Sequence, residues 1–273
     1  MNNMRILLIL GVSLIGFLIS VQYKRLQPLQ QGPNPELSAL LAEKPIKHLG
    51  IIMDGNRRWA KKKGLQAWIG HKEGVNPVKE TINFCLEHQI QHLTLYVFSL
   101  ENFKRPAEEL NYLFDVLAQE VASKEFTELM EKGIHVSFIG ARNLFPPQLV
   151  PIILDMEQKT ATNTKLHLNL LFCYGGHQEI LAAAQQLCQQ VKEGTGKVPA
   201  TFDDFKQALW SHNLPPLDLI IRTAGDQRLS NYLPIQSAYS ELYFVTCYWP
   251  DLTRKELDDA GLFFSKSKRN FGG

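Results

Sequence analysis

Residues 54 to 58 read Asp-Gly-Asn-Arg-Arg, a carboxylate followed at once by a glycine, a short amide and two guanidinium groups. The string begins where an apolar run, Leu49 to Met53, stops, and it leads into a basic stretch ending in Lys61-Lys62-Lys63. That pattern predicts a buried strand, a tight turn and the start of a helix. Gly55 permits backbone geometry that a Cβ forbids, Asn56 is a good N-cap, and the amides that open a helix lack intrahelical partners. Such amides, the positive end of the helix dipole, and Arg57 and Arg58 suit a phosphate. Asp54 repels one unless a divalent cation lies between them. The chemistry this string asks for is therefore the binding of a Mg²⁺-bound diphosphate. An ordinary strand-to-helix turn with a solvated basic face is the plainer alternative.

A second polar string, Ser99 to Pro106, and a third, Arg222 to Ser230, each follow an apolar run, and elements must bring them together. Strand-like runs at 49–53, 93–98, 134–139, 166–172, 217–221 and 242–246 are separated by helical patterns. Leu110, Leu113, Phe114, Leu117 and Val121 recur at helical spacing behind Pro106, and Ile180, Leu181, Ala184, Leu187, Cys188 and Val191 share one face. The alternation predicts an α/β fold, a single domain with a mostly parallel six-stranded sheet flanked by helices. Ligands of such sheets bind beyond the carboxyl ends of the strands. There the first strand ends at Asp54, the second at Ser99, the fourth at Tyr174-Gly175-Gly176 and the fifth at Arg222-Thr223. Singly, Ser99 and Asn102 could cap a turn and Gly175-Gly176 could be a plain loop; their common placement points to a site.

With 273 residues, 45% of them hydrophobic, the chain can build one large domain plus an appendage. A net charge of +2 without a long basic stripe argues against nucleic acid as a partner. Cys85, Cys173, Cys188 and Cys247 are widely spaced and form no Cys-x-x-Cys pair, so buried free thiols are expected rather than zinc or a disulfide framework. His88 and His92 read as turn residues rather than metal ligands. Gly194-Thr195-Gly196-Lys197 lacks the spacing of a P-loop. Residues 6–21 carry no charge and as a helix would span roughly 24 Å, slightly short of a hydrocarbon core. No small-x-small cleavage site comes after them, so residues 1–23 are expected to be a retained membrane anchor rather than a signal peptide. Lys24, Arg25, Lys44 and Lys47 favour the cytoplasmic face of the membrane for the rest of the chain. Residues 24–47, rich in Pro and Gln, read as a linker with a possible short helix at Glu36 to Ala42, and 48–273 as the catalytic domain.

The stretch Met53-Asp54-Gly55-Asn56-Arg57-Arg58-Trp59-Ala60 resembles the signature of the cis-prenyltransferases, the undecaprenyl diphosphate synthase family. Tyr96 to Pro106 is similar to that family's second block, Asp218 to Tyr232 to its Arg-Thr-Gly-Gly-Glu-x-Arg-x-Ser-Asn-Phe block, and Gln236 to Phe244 to the block containing its Glu. The resemblance extends over residues 46–273, including the basic Phe-Gly-Gly tail, and implies a homodimer with its interface near the last strand and the helices after it. It also implies prenyl elongation, in which an allylic diphosphate ionises, isopentenyl diphosphate adds to it, and one proton is lost. Arg222, Arg228 and Ser230 would then clamp isopentenyl diphosphate. Gly55, Asn56, Arg57 and Arg58, with Trp59, His71, Phe103 and Arg105, would bind the allylic diphosphate. Asp54, with Glu241 as second carboxylate, would hold Mg²⁺, and Asn102 with Ser99 would lie near the departing proton. For His71 a bland role at a helix start stays open. The growing chain needs an apolar tunnel, with Ile82, Val97, Leu113, Phe138 and Leu170 as candidate walls.

Several positions depart from the family pattern: Ala67 stands for a phosphate-binding arginine, Phe103 for Trp, Ala224 for Gly, Asp226 for Glu and Ile235 for Trp. The reading implied is a Mg²⁺-dependent synthase that extends farnesyl diphosphate to undecaprenyl diphosphate. A synthase of shorter chains, or a weakly active subunit tethering a partner synthase to the membrane, remain the alternatives. A trans-type synthase is excluded because Asp203-Asp204 is followed by Phe-Lys-Gln rather than completing Asp-Asp-x-x-Asp.

Overall fold

The structure, a computed structural model, describes residues 34–121, 123, 131–196, 198 and 200–268. The expected anchor at 1–23, the linker before residue 34, and 269–273 lie outside the described residues. Among the described residues no helix is long and apolar enough to cross a membrane.

Six strands, β1 (His48–Ile52), β2 (His92–Ser99), β3 (Ile134–Ile139), β4 (Leu166–Tyr174), β5 (Leu219–Arg222) and β6 (Glu241–Phe244), form one sheet in the order β3-β4-β2-β1-β5-β6. Every pairing is parallel. The described helices are α1 (Pro35–Glu43), α2 (Asn56–Lys62), α3 (Ile69–Glu73), α4 (Val75–Glu87), α5 (Ala107–Val121), α6 (Val150–Thr160), α7 (Gly176–Lys192), α8 (Phe202–Gln207) and α9 (Arg254–Lys266). The strands read as apolar runs because the sheet is covered on both faces; all five residues of β1 are buried.

Register assigns the two faces different chemistry. Leu49, Ile51, Leu93, Leu95, Leu168, Leu170, Val136 and Phe138 join the main apolar core with residues of α4, α5, α6 and α9. The opposite face carries His48, Gly50 and Ile52, and, in register with them, His92, Thr94, His167 and Asn169. Gly50 is required there, because a Cβ would fall 2.5 Å from the Tyr232 hydroxyl, which donates to Thr94 O at 2.9 Å. Between β2 and β4 the register slips twice, leaving Val97 and Cys173 unpaired. Such bulges re-aim side chains at the end of a strand.

Within the linker expected at 24–47, the possible short helix at Glu36 to Ala42 is present, but it is part of the folded unit rather than of a tether. Residues 35–43 form α1, which buries Leu37 and Leu41 against the core, with Leu37 fitting over Gly261 of α9. Lys44 Nζ then donates to Phe264 O at 2.8 Å, at the carboxyl end of α9. Burying a leucine is worth about 2 kcal/mol, so α1 belongs to the folded unit that begins at Pro35.

Candidate active site at the carboxyl end of the sheet

β1 runs out at Ile52, and the chain turns through Met53, Asp54 and Gly55 into α2. Gly55 has φ +101°, and a Cβ on it would fall 2.7 Å from the Tyr248 ring, so glycine is demanded twice over. Gly55, not Asn56, is the N-cap; Asn56 is the first helical residue, and its Nδ2 donates to Met53 O at 3.2 Å. No side chain caps this helix, so its opening amides stay available, as expected. Thr223 fastens the turn: its hydroxyl accepts from Asp54 N at 2.9 Å and donates to Asp54 O at 2.6 Å. The Asp54 carboxylate lies between two guanidinium groups, 2.9 Å from Arg222 Nη2 and 3.2 Å from Arg58 Nη2.

Arg222, the last residue of β5, is buried among polar atoms. Its Nη1 donates to Ser230 Oγ at 2.8 Å and to Arg228 O, while its Nε has no protein partner. Ser230 and Asn231 both have left-handed backbone, φ +50° and +67°, which is costly for side-chain-bearing residues, and both line the cavity. Asn231 donates to Glu101 Oε1 at 2.9 Å and accepts from His177 N at 2.8 Å. Arg58 also pairs with Asp226 at 2.8 Å, as does Arg228.

On the other side of Asp54, Ser99 and Asn102 form a reciprocal capping box around the turn Leu100–Lys104, Asn102 Oδ1 accepting from Ser99 N at 3.0 Å. This is the capping role open to them from the sequence, and both also line the cavity. Arg105 Nη1 then lies 3.1 Å from Glu109 Oε1 and 3.4 Å from His71 Nε2, and Arg57 Nε is 3.4 Å from the same carboxylate oxygen. Glu109 is almost fully buried in the first turn of α5 and gathers these groups. Burial, and then the charges of Arg105 and Arg57, push the His71 pKa down to about 3, so the ring is neutral at physiological pH. Because Arg105 can only donate, His71 Nε2 accepts there and its proton sits on Nδ1.

These groups surround the polar mouth of a cavity of about 860 Å³. Asp54 to Arg58, His71, Ser99, Asn102, Arg105, Arg222 and Ser230 all line it. From the mouth it continues along the apolar face of the sheet, past Leu95, Val97, Leu168 and Leu170, under Leu113, Leu117 and Val121 of α5. Val97, Leu113 and Leu170 are wall residues as expected, whereas Ile82 and Phe138 are packed core outside the cavity.

Four predicted site residues stand elsewhere. Trp59 faces inward, its indole donating to Asp251 Oδ1 at 2.7 Å under the Lys63 ammonium. Phe103 is partly exposed and set edge-on against Phe98 at 5.0 Å. Arg228 is largely exposed and turned to Asp226. Glu241 opens β6 opposite Leu219, three residues before Phe244, the partner of Arg222. That is roughly 10 Å of strand away from the carboxyl end, so within this chain it is not a second ligand beside Asp54. Sequence reasoning missed Glu109, Glu101, His177 and Asn231. The Asn of the Ser-Asn pair was a visible signal for Asn231; Glu109 looks like any acid in a first helical turn.

Among the described residues no cluster of three His, Cys, Asp or Glu could cage a metal ion. The Asp54 carboxylate, facing the cavity beside several cationic donors, fits a divalent cation bound by one or two carboxylates and completed by substrate phosphate oxygens. Asp54 is the residue that would hold it.

The family model described as "Putative undecaprenyl diphosphate synthase" matches residues 52–272. The isoprenyl transferase of Thermotoga maritima is 40% identical over 227 residues, 83% of this chain and 97% of that protein. The ditrans,polycis-undecaprenyl-diphosphate synthase ((2E,6E)-farnesyl-diphosphate specific) of Haemophilus ducreyi is 40% identical over 83% of this chain and 94% of its own length. Among solved structures, lavandulyl diphosphate synthase from Lavandula x intermedia in complex with dimethylallyl diphosphate superposes with a TM-score of 0.81 at 32% identity, covering 85% of this chain and all of that one. With the turn at Asp54, the Arg222 anchor and the cavity between them on a parallel sheet, these matches agree that the chain belongs to the undecaprenyl diphosphate synthase family of cis-prenyltransferases.

Proposed function

We propose that this transferase adds isopentenyl diphosphate units in the cis sense to an allylic diphosphate, farnesyl diphosphate first, and elongates it to a polyprenyl diphosphate of the undecaprenyl class. The observation that carries the reading is a continuous cavity, ionic at its mouth and apolar along its length, which suits a ligand with a diphosphate head and a hydrocarbon tail. In this reading the allylic diphosphate takes the α2 amides, neutral His71 and Arg105. Isopentenyl diphosphate takes Arg222 and Ser230, satisfying the unpartnered Arg222 Nε. Arg228 joins only by leaving Asp226.

The reaction breaks the allylic C1–O bond, whose electron pair leaves with the diphosphate. The π pair of isopentenyl diphosphate makes the new bond to C1, and loss of its C2 proton leaves the new double bond. Asn102 Oδ1 is already engaged by Ser99 N and an amide is no base, so the pair orients the acceptor and the released diphosphate takes the proton. Mg²⁺ held by Asp54 would offset charge on the leaving diphosphate. The arginines and amides supply preorganised positive charge, and the apolar walls keep water from the cation.

A shorter product is the second reading, favoured by Glu120 and Ser123, polar groups in the wall near the last turn of α5. The test is an assay with farnesyl diphosphate, labelled isopentenyl diphosphate and Mg²⁺, resolved by chain length. A C55 product is expected. A ladder ending lower supports the second reading, and no product from any allylic starter by a folded protein overturns both in favour of a tethering subunit. We further propose a homodimer, supported by the open edge strand β6 and the exposed Leu242 and Phe263 beside it. Anchoring at the cytoplasmic face of a membrane through residues 6–21 is proposed from the sequence. Deleting residues 1–23 is expected to release active protein from membranes, and a truncated protein that still sediments with them overturns this.

A further inference from the structure

At the amino end of the sheet, opposite the cavity mouth, four histidines stand in a row. His48 is in register with His92, His92 with His167, and His167 with His135, across β1, β2, β4 and β3. Matched register in a parallel sheet puts all four on one face. Their rings touch in sequence: His48 and His92 at 5.6 Å between centroids, His92 and His167 stacked at 4.7 Å, His167 and His135 at 5.1 Å. His48 is fully engaged, its Nδ1 2.8 Å from Pro215 O and its Nε2 2.7 Å from Thr94 Oγ1. The other three are partly exposed. His92 Nδ1 is buried without a hydrogen-bond partner, and the Nδ1 atoms of His135 and His167 face each other at 3.1 Å.

We propose that His135 and His167 form a two-imidazole site for a late first-row divalent ion, Cu²⁺ in preference to Zn²⁺. Imidazole nitrogen binds such ions at about 2.0–2.1 Å, so two nitrogens 3.1 Å apart subtend about 100° at the metal, between the square-planar and tetrahedral angles. The two nitrogens already lie at a chelating separation, and rotating the rings until both lone pairs converge on one point turns their hydrogen bond into a chelate. Among the described residues no third His, Cys, Asp or Glu completes the cluster, so water fills the remaining positions and the ion stays exchangeable. The Irving–Williams order then ranks Cu²⁺ above Zn²⁺. Occupancy would tie β3, an edge strand, to its neighbour β4.

The test is calorimetric titration of untagged, metal-stripped full-length protein with Cu²⁺ alone and with Zn²⁺ alone at about pH 7.5, with EPR of the Cu²⁺ form. One tight equivalent with superhyperfine splitting from two nitrogens is expected. Binding should weaken at least about ten-fold in His135→Ala and in His167→Ala, and stay unchanged in His212→Ala, an exposed histidine elsewhere. His135→Asp keeps a redox-inert donor and should keep binding better than His135→Ala, which separates lost ligation from lost folding. Absence of a stoichiometric site, binding indifferent to both alanine variants, or a site lost instead with Asp54→Ala overturns the proposal.

Discussion

At the carboxyl end of the sheet Asp54 lies between Arg222 and Arg58, Asp226 between Arg58 and Arg228, and Glu109 between Arg57 and Arg105. At the amino end of the same sheet the polar row is four imidazoles in mutual contact. Both ends are crowded with titratable groups, yet one pairs full charges and the other avoids charge. Burial lowers His48 to about 4 against the raising hydrogen bond to Pro215 O, and burial, then the neighbouring His167, lowers His92 to about 4, so both are neutral at physiological pH. An arginine that holds a carboxylate can hold a diphosphate oxygen as well, because the same guanidinium fork matches both. A stacked neutral ring has no such latitude; a proton there leaves a charge facing other imidazoles. The carboxyl end is thus built to accept an anionic ligand, and the amino end to keep its imidazoles unprotonated.

The largest expected effect breaks the carboxyl end. Asp54→Ala removes the cavity-facing carboxylate that meets both Arg222 and Arg58, and kcat is expected to fall by about 10³-fold or more while the fold survives. Steady-state kinetics beside circular dichroism checks this, and near-normal turnover would sink the assignment of Asp54 as metal and diphosphate anchor. Glu109→Gln comes next. It takes the shared counter-charge from Arg57 and Arg105 without changing size, so KM for the allylic diphosphate should rise about ten-fold, with a smaller loss in kcat. An unchanged KM would mean that the two arginines are positioned by something other than this carboxylate.

Acid discriminates the two ends by a smaller amount. Between about pH 4 and the ordinary histidine value of 6.5 the unfolded chain binds protons at His48 and His92 that the folded chain excludes. Stability therefore rises with pH through this window, is complete above it, and is lost as pH falls. His48, fully buried, contributes about 2 kcal/mol of loss between pH 7 and pH 5. His71 at the carboxyl end adds to the slope, because its pKa is also lowered, to about 3. Inorganic diphosphate should reduce only the His71 share, since an anion beside it opposes the arginine charges. Urea midpoints at the two pH values, with and without diphosphate, check this; equal protection in His71→Gln would show that the ligand acts elsewhere.

Much of the carboxyl end was legible because its cause is local. Asp54-Gly55 interrupts an apolar strand, and only a turn and a helix start can come next; Arg222 ends another buried run. The six strands were legible because each carries apolar residues toward the core, with polar ones such as His167 and Asn169 interspersed on the other face. Glu241 was misread because which end of β6 meets the site depends on register with Leu219, a fact of tertiary pairing. Glu109 was invisible because its role comes from side chains 4, 38 and 52 positions away converging on it, Arg105, His71 and Arg57. Trp59, taken for a ligand contact, sits one turn into α2 on the face turned to Asp251, which periodicity alone does not orient. The histidine row is not legible in the sequence, where His92 reads as a turn residue; His92 opens β2, and the row exists only because the strand order puts β4 between β2 and β3.

The smallest expected effect tests whether the carboxyl end also holds backbone strain. Ala224 has φ +73° and Gly225 φ +77°, so two successive residues adopt left-handed backbone just after Arg222. They do so because both amides are fastened across the turn, Ala224 N to Cys247 O at 2.7 Å and Gly225 N to Val245 O at 2.8 Å. Ala224 O also accepts from Arg58 Nη1 at 3.3 Å, which links this turn to the Asp54 pair. An alanine in this conformation costs about 1–2 kcal/mol, whereas a glycine costs about 0.5–1 kcal/mol through the freedom it has when unfolded. Ala224→Gly should therefore stabilise by up to about 1 kcal/mol, raising Tm by about 2 °C with activity retained. Gly225→Ala isolates the same term with opposite sign, because nothing lies within 4 Å of the added Cβ, and should cost about 1 kcal/mol. Two thermal scans decide it. If Ala224→Gly instead lowers Tm, its Cβ contributes more by packing than its backbone loses by strain, and the turn is held as firmly as the amino end of the sheet.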